Sequence, residues 1–379
     1  MSNASNTSAS GPPFRADHVG SLLRPGRVQA AHERARRGEI SAAERRATED
    51  AAIREVIAMQ ESVGLPAVTD GELRRGHFLV DFLLALEGIA PAHASYAIPF
   101  KGERGQGGET RSMLVVNGKI RRTRAIVVDD FEFLAAAVTN GMPKLSIPSP
   151  TYIHMRGDRR TVPESIYPDI EEFWADVVAA YHAEMKALAA VGCRYLQIDE
   201  VVFAFLCDER IREHVRADGI DPDRAIRRYA AVVDAIAAGA PPGMVVTVHT
   251  CRGNHQSMWM AEGGYEPIAE AAFSQPHVRG YFLEYDTARA GSFEPLKFVP
   301  RDKHIVLGLV STKRAELESK DALKRRIDEA SRYVPLERLA LSPQCGFAST
   351  EKGNSITPDI ERRKLELIVE TAREVWGAV

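Results

Sequence analysis

From Phe14 onward, short apolar runs rich in β-branched residues alternate with long stretches in which apolar side chains recur every three or four positions. The first pattern predicts buried strands and the second amphipathic helices. Ile53, Val56, Ile57, Gln60 and Val63 form one helical face before Gly64, a residue free to take the left-handed conformation that ends a helix. Ile170, Phe173, Trp174, Val177, Val178, Tyr181, Met185, Leu188 and Val191 form another before Gly192. Strands are expected to end near Ser21, Gly71, Ser149, Asp199, His249, Tyr285, Leu309 and Ser342. This rhythm of about eight βα units predicts a parallel sheet closed into a (β/α)8 TIM barrel. No Gly-x-Gly-x-x-Gly turn supports an open dinucleotide-binding sheet instead.

Two stretches stand outside the rhythm. Residues 1–13, ending Gly11-Pro12-Pro13, are polar and are expected to form a disordered tail ahead of a single barrel domain over 14–379. The segment from about residue 76 to residue 143 is too long for an ordinary connection after strand two. Within it, Thr110 to Val116 and Ile120 to Val128 flank Asn117-Gly118, the strongest short hairpin signal. The segment therefore reads as a β-hairpin-containing insertion, a lid or the contact of a homodimer.

Charge narrows the partners. Lys plus Arg is 49 and Asp plus Glu is 52, a formal net charge of −3, which argues against an electrostatic nucleic-acid or membrane-surface binder. No apolar run approaches the ~20 residues of a membrane helix, and residues 1–10 lack the charged and apolar regions of a signal peptide, so a soluble cytoplasmic protein is expected. Four cysteines, at 193, 207, 251 and 345, are too few and too scattered for a disulfide framework and read as reduced thiols.

Two of those thiols sit where chemistry is expected. His249-Thr-Cys251 closes the β-branched run Val245-Val246-Thr247-Val248, and on an extended strand side chains at i and i+2 share a face. Cys345, in Ser342-Pro-Gln-Cys-Gly-Phe347, follows the apolar stretch Leu339-Ala340-Leu341. Glu284 ends the run that begins at Val278 and supplies a natural fourth donor. A single His or Cys at a strand end is usually a packing residue. Three soft donors at the same end of one barrel, where barrel active sites lie, favour bound zinc over magnesium or calcium. Cys193 and Cys207 lack such partners. The Gly20-Ser21 turn could offer backbone N–H groups to a carboxylate, and Glu72 and Asp199, at the ends of strands two and four, could bind an ammonium group or cap the next helix.

Together His18-Val-Gly-Ser-Leu-Leu-Arg-Pro25, Thr69-Asp-Gly-Glu-Leu-Arg-Arg75, Leu196-Gln-Ile-Asp-Glu200, His249-Thr-Cys251, Glu284 and Pro343-Gln-Cys-Gly346 resemble the catalytic barrel of cobalamin-independent methionine synthase, especially its short bacterial relatives. The likeness covers nearly everything after about residue 14. It implies zinc held by His249, Cys251, Glu284 and Cys345, with the glutamate yielding to an incoming thiol. It also implies a substrate-binding edge comprising His18, Gly20, Ser21 and Arg24, with the Gly20-Ser21 turn on the amino-acid carboxylate and Glu72 and Asp199 on the ammonium. Two departures bear on the donor. The N-terminal half of the full-length enzyme has no counterpart, and the family's Asp-Ile-His-Ser-Pro stretch is replaced by Gly308-Leu-Val-Ser-Thr-Lys313. The donor thus stays open between folate, methylcobalamin and another small methylated compound, and His255 and Lys313 become the candidate catalytic proton donors.

The resulting expectation is a zinc-dependent transfer of a methyl group to a small thiol, homocysteine or similar. Thiol alkylation of the epoxyalkane:coenzyme M type uses the same zinc logic and is the near alternative. A non-catalytic zinc-binding barrel is the alternative from another class. A metal-free decarboxylase leaves the two-cysteine, one-histidine pattern unexplained.

Overall fold

Seven apolar runs become the strands of one parallel sheet in the computed structural model, which describes residues 11–103 and 105–379. They are β1 (Ala67–Val68), β4 (Met142–Pro148), β5 (Tyr195–Asp199), β6 (Val245–Thr250), β7 (Gly280–Glu284), β8 (His304–Val310) and β9 (Leu339–Pro343), in that spatial order. From β4 through β9 nearly every strand residue is buried, as expected where helices cover one face and the sheet curls over the other. Helix Ala42–Val63 starts in a Ser41–Glu44 capping box and stops at Gly64, whose φ is 85°. Helix Ile170–Ala190 is capped by Asp169 and buries Phe173, Trp174, Tyr181, Met185 and Leu188. Inside the curl, Val19, Ala67, Tyr195, Phe282, Val306 and Ala340 form a second, smaller core.

The sheet is an open seven-stranded curl, not the closed eight-stranded barrel the rhythm predicts. The segment ending near Ser21 makes one bridge, Ala16 to Leu341, through Asp17 N to Leu341 O at 3.0 Å and Leu341 N to Arg15 O at 2.9 Å. Its other edge is occupied by side chains. Lys144 Nζ donates to His18 O, Gln197 Nε2 to Val19 O at 2.7 Å and Thr69 Oγ1 to Gly20 O at 2.7 Å. Asp17 Oδ1 takes the His18 N–H at 2.8 Å, and the His18 ring meets Ala67 O at 3.2 Å. With those carbonyls and that N–H already satisfied, no backbone ladder to β1 forms among the described residues.

The segment between β1 and β4 does hold a long hairpin, β2 (Glu87–Gly102) with β3 (Gly105–Arg121), but its turn is not at Asn117-Gly118. Gly102 pairs with Gly105 at the tip, and Asn117-Gly118 lies within β3 beside a register shift. There Gly88, at φ 90°, lies so close that a Cβ would be 2.7 Å from Gly118 O and 2.6 Å from Lys119 O. The glycine signal marks a close backbone approach at a bulge, not a tight turn. The hairpin is tied to the loop after β6 by Lys101 N to Trp259 O and Trp259 N to Lys101 O, each 2.7 Å. Residues 1–10 of the expected tail lie outside the described residues, while Pro12 and Pro13 are buried. Among the described residues, no helix is long and apolar enough to cross a membrane.

Candidate metal centre

Three strand ends deliver four donors to one buried point. His249 lies in β6 opposite Asp199 of β5 and Phe282 of β7, and Cys251 is the first residue beyond that strand. Glu284 ends β7, and Cys345 lies two residues past β9. One ligating atom from each of His249, Cys251, Glu284 and Cys345 falls within 4.8 Å of the others, and all four side chains are buried. The two sulfurs are 3.3 Å apart. Glu284 is aimed by the Arg252 N–H, which donates to Oε1 at 2.9 Å, and by Arg289 Nη2, 3.4 Å from Oε2.

The electrostatics are those of a cation site. Neither ring nitrogen of His249 meets an oxygen or nitrogen partner among the described residues, the Cys345 sulfur being its polar neighbour, although the side chain is only 1 % exposed. Burying a polar nitrogen without a partner is costly, and a cation in the cluster would supply one. Hydrogen bonding to Cys251 holds the Cys345 thiol well below its ordinary range despite burial, with the His249 ring adding to the effect. The same hydrogen bond, with burial, pushes Cys251 well above its range. Burial lowers His249, but the adjacent Cys345 sulfur outweighs it and the net direction is upward. Burial raises Glu284 against the pull of Lys313. One nitrogen, two sulfurs and one carboxylate in a dry site thus fit a bound metal ion.

A cavity opens onto the cluster. Its lining includes His249, Cys251 and Cys345, the polar Ser21, Glu72 and Asp199, and apolar groups such as Ile98, Phe100, Phe205 and Met260. Burial and the neighbouring Glu72 carboxylate push Asp199 up to about 7. Glu72 accepts from Ser146 Oγ at 2.7 Å and lies 3.3 Å from the Arg75 guanidinium. His255 also lines the cavity, stacked on Phe100 with ring centroids 4.9 Å apart. Lys313 lines an adjoining cleft, and its Nζ donates to Asn254 Oδ1 at 3.3 Å.

Other residues of the expected binding edge lie behind the cavity. His18 is turned to Ala67 O, and burial, aided by Lys144, pushes its ring down to about 4. Arg24 spans four carbonyls, of Ala348, Thr350, Glu72 and Arg75, at 2.7–3.0 Å, and so clamps loops together. Gly20, at φ 140°, leaves room for Glu72, whose Oε1 would be 3.1 Å from a Cβ. Sequence reasoning missed Arg289, Asn254 and the hairpin residues Ile98 and Phe100. Arg289 follows Glu284 by five positions and could have been suspected as its partner, whereas nothing local marks Ile98 or Phe100 as lining.

The sequence model of the cobalamin-independent synthase catalytic domain matches residues 14–374. The Bacillus subtilis (strain 168) protein YxjH, described as uncharacterized, is 41% identical over 366 residues, covering 96% of this chain and 95% of its own length. A 5-methyltetrahydropteroyltriglutamate–homocysteine methyltransferase from Thermotoga petrophila is 23% identical over 92% of this chain and 43% of its own length. Among solved structures, a Listeria monocytogenes protein provisionally described as a vitamin-B12 independent methionine synthase superposes with a TM-score of 0.74 at 35% identity, covering 96% of this chain and 98% of that one. On the extent of these matches and the donor cluster they span, the chain belongs to the cobalamin-independent methionine synthase catalytic-domain family.

Proposed function

We propose that this chain is a zinc-dependent S-methyltransferase that methylates a small thiol, homocysteine or a close relative. The observation that carries the reading is the convergence of one ligating atom each from His249, Cys251, Glu284 and Cys345 within 4.8 Å, all four side chains buried. Zinc bound there would lower the pKa of a substrate thiol and keep it nucleophilic at neutral pH. Two cysteine sulfurs, in place of further histidines, soften the site and preserve that nucleophilicity.

The chain's own residues supply orientation. Glu72 and Asp199 line the cavity beside His249 and suit an ammonium group, with Ser21 at the same cavity. The apolar lining, with Phe100 and Ile98 from the hairpin, excludes water from the path of the methyl group. His255, which lines that cavity, and Lys313, whose charge acts on Glu284 and Cys345, are the two candidates to pass a proton to a leaving group. The test is an assay of zinc-loaded protein with homocysteine and with a sulfonated thiol, each against methyl and epoxide donors. Methyl transfer to homocysteine supports the reading. Turnover confined to the sulfonated thiol and epoxide, or none with any pair, contradicts it.

A further inference from the structure

Glu284 is the one oxygen donor of the cluster, and a second position for its carboxylate is built beside it. Arg289 is 8% exposed, anchored by Nη2 to Asp286 Oδ1 at 2.7 Å and by Nη1 to Thr287 Oγ1 at 2.7 Å, and it lies over the Trp259 ring at 4.9 Å. Nη2 also reaches Glu284 Oε2, but at a slack 3.4 Å. The adjacent Nε is buried and has no hydrogen-bond partner among the described residues. Nε and Nη2 form the guanidinium edge that takes a carboxylate through two parallel bonds. A turn of Glu284 away from the three other donors would convert one long contact into such a pair and satisfy the orphaned N–H.

We propose that Arg289 is a positioning residue that receives the Glu284 carboxylate when an incoming thiol takes its place in the cluster. The proposal rests on the zinc–thiol reading above. Displacing a carboxylate inside a protein is costly if the anion is left unpaired. Arg289 removes that cost without leaving its own anchors, because Asp286 and Thr287 hold the guanidinium in place while the side-on edge stays available. The Arg252 N–H serves the other end of the exchange, since it fixes Oε1 in the ligand-facing position.

The test uses the cobalt(II)-substituted protein titrated with homocysteine, read by the sulfur-to-metal charge-transfer absorption, alongside cobalt retention against a chelator. In Arg289→Gln the homocysteine concentration for half-maximal change should rise about tenfold, with Arg289→Lys, which keeps the charge but loses the fork, in between. Cobalt retention should be equal to or tighter than wild type, because Glu284 has lost its alternative partner. An Arg289→Gln titration that overlays wild type would overturn the proposal, as would parallel loss of cobalt and thiol affinity, the mark of a merely structural residue. If Arg289→Gln does not fold, an unshifted Arg289→Lys titration overturns it equally. A wild-type protein whose spectrum homocysteine leaves unchanged removes the zinc–thiol reading and this proposal together, whereas a responsive wild type with unshifted variants removes only the role of Arg289.

Discussion

Cys251 Sγ lies 3.3 Å from Cys345 Sγ, although 94 positions separate the residues and two strands, β7 and β8, stand between theirs in the sheet. Three strand spacings in a flat sheet would hold the ends of β6 and β9 about 14 Å apart. The curl of the sheet therefore makes the donor cluster, and each thiol depends on the other. Cys251→Ser and Cys345→Ser should each lose most of the zinc found in wild-type protein purified without added metal. Cys193→Ser and Cys207→Ser, which lie outside the cluster, should retain it. The zinc-to-protein ratio decides both.

Gly308 holds two of the ligand-bearing strands in register. It pairs with Glu284 in β7 and Ser342 in β9, and a Cβ there would be 2.7 Å from the Gln344 Cα and 2.8 Å from Leu283 O. Both obstacles are backbone and cannot rotate aside. Gly308→Ala should cost about 1–3 kcal/mol in urea denaturation and lower zinc occupancy with it, since Leu283 and Gln344 are the neighbours of Glu284 and Cys345.

Lys144 and Asp17 close the open side of the curl. Lys144 Nζ is 2.9 Å from Asp17 Oδ1, both side chains are fully buried, and the amine also lies 4.0 Å from the Phe282 ring centroid. Removing one member leaves an uncompensated buried charge, so Lys144→Met should destabilise by about 3–5 kcal/mol. The double variant Lys144→Met/Asp17→Asn should recover part of that loss, measured by the same denaturation.

Glu361, on helix Pro358–Trp376, accepts the Leu23 N–H at 2.8 Å, and burial pushes its carboxyl up to about 8. A carboxyl raised on folding contributes stability that is present at acid pH and is lost as pH rises through the folded value. Between about pH 5 and pH 8 the wild type should therefore lose thermal stability that Glu361→Gln, which keeps an acceptor for Leu23, retains. Equal losses in the two proteins would show that Glu361 does not titrate in this window.

Why some of this was legible follows from local pattern. Asp199, His249 and Glu284 each end a continuous apolar run, and such runs become strands almost irrespective of context. The first run makes a single bridge to β9, and distant side chains, from Lys144 and Gln197, hold its carbonyls, which no local pattern announces. The hairpin was foreseeable but its turn was not, since Asn117-Gly118 carries a turn signal that the pairing of Gly102 with Gly105 overrides. Arg24 and Ser21 look equally suited to substrate in sequence, and only the structure shows Arg24 spent on four carbonyls while Ser21 lines the cavity.

X-ray absorption at the zinc edge, on wild-type protein with and without homocysteine, reads the donor set and its exchange together. One nitrogen, two sulfur and one oxygen donor are expected, from His249, Cys251, Cys345 and Glu284, with the oxygen exchanged for a third sulfur when the thiol is added. A zinc shell lacking sulfur, or one that homocysteine leaves unchanged, would contradict the zinc–thiol reading.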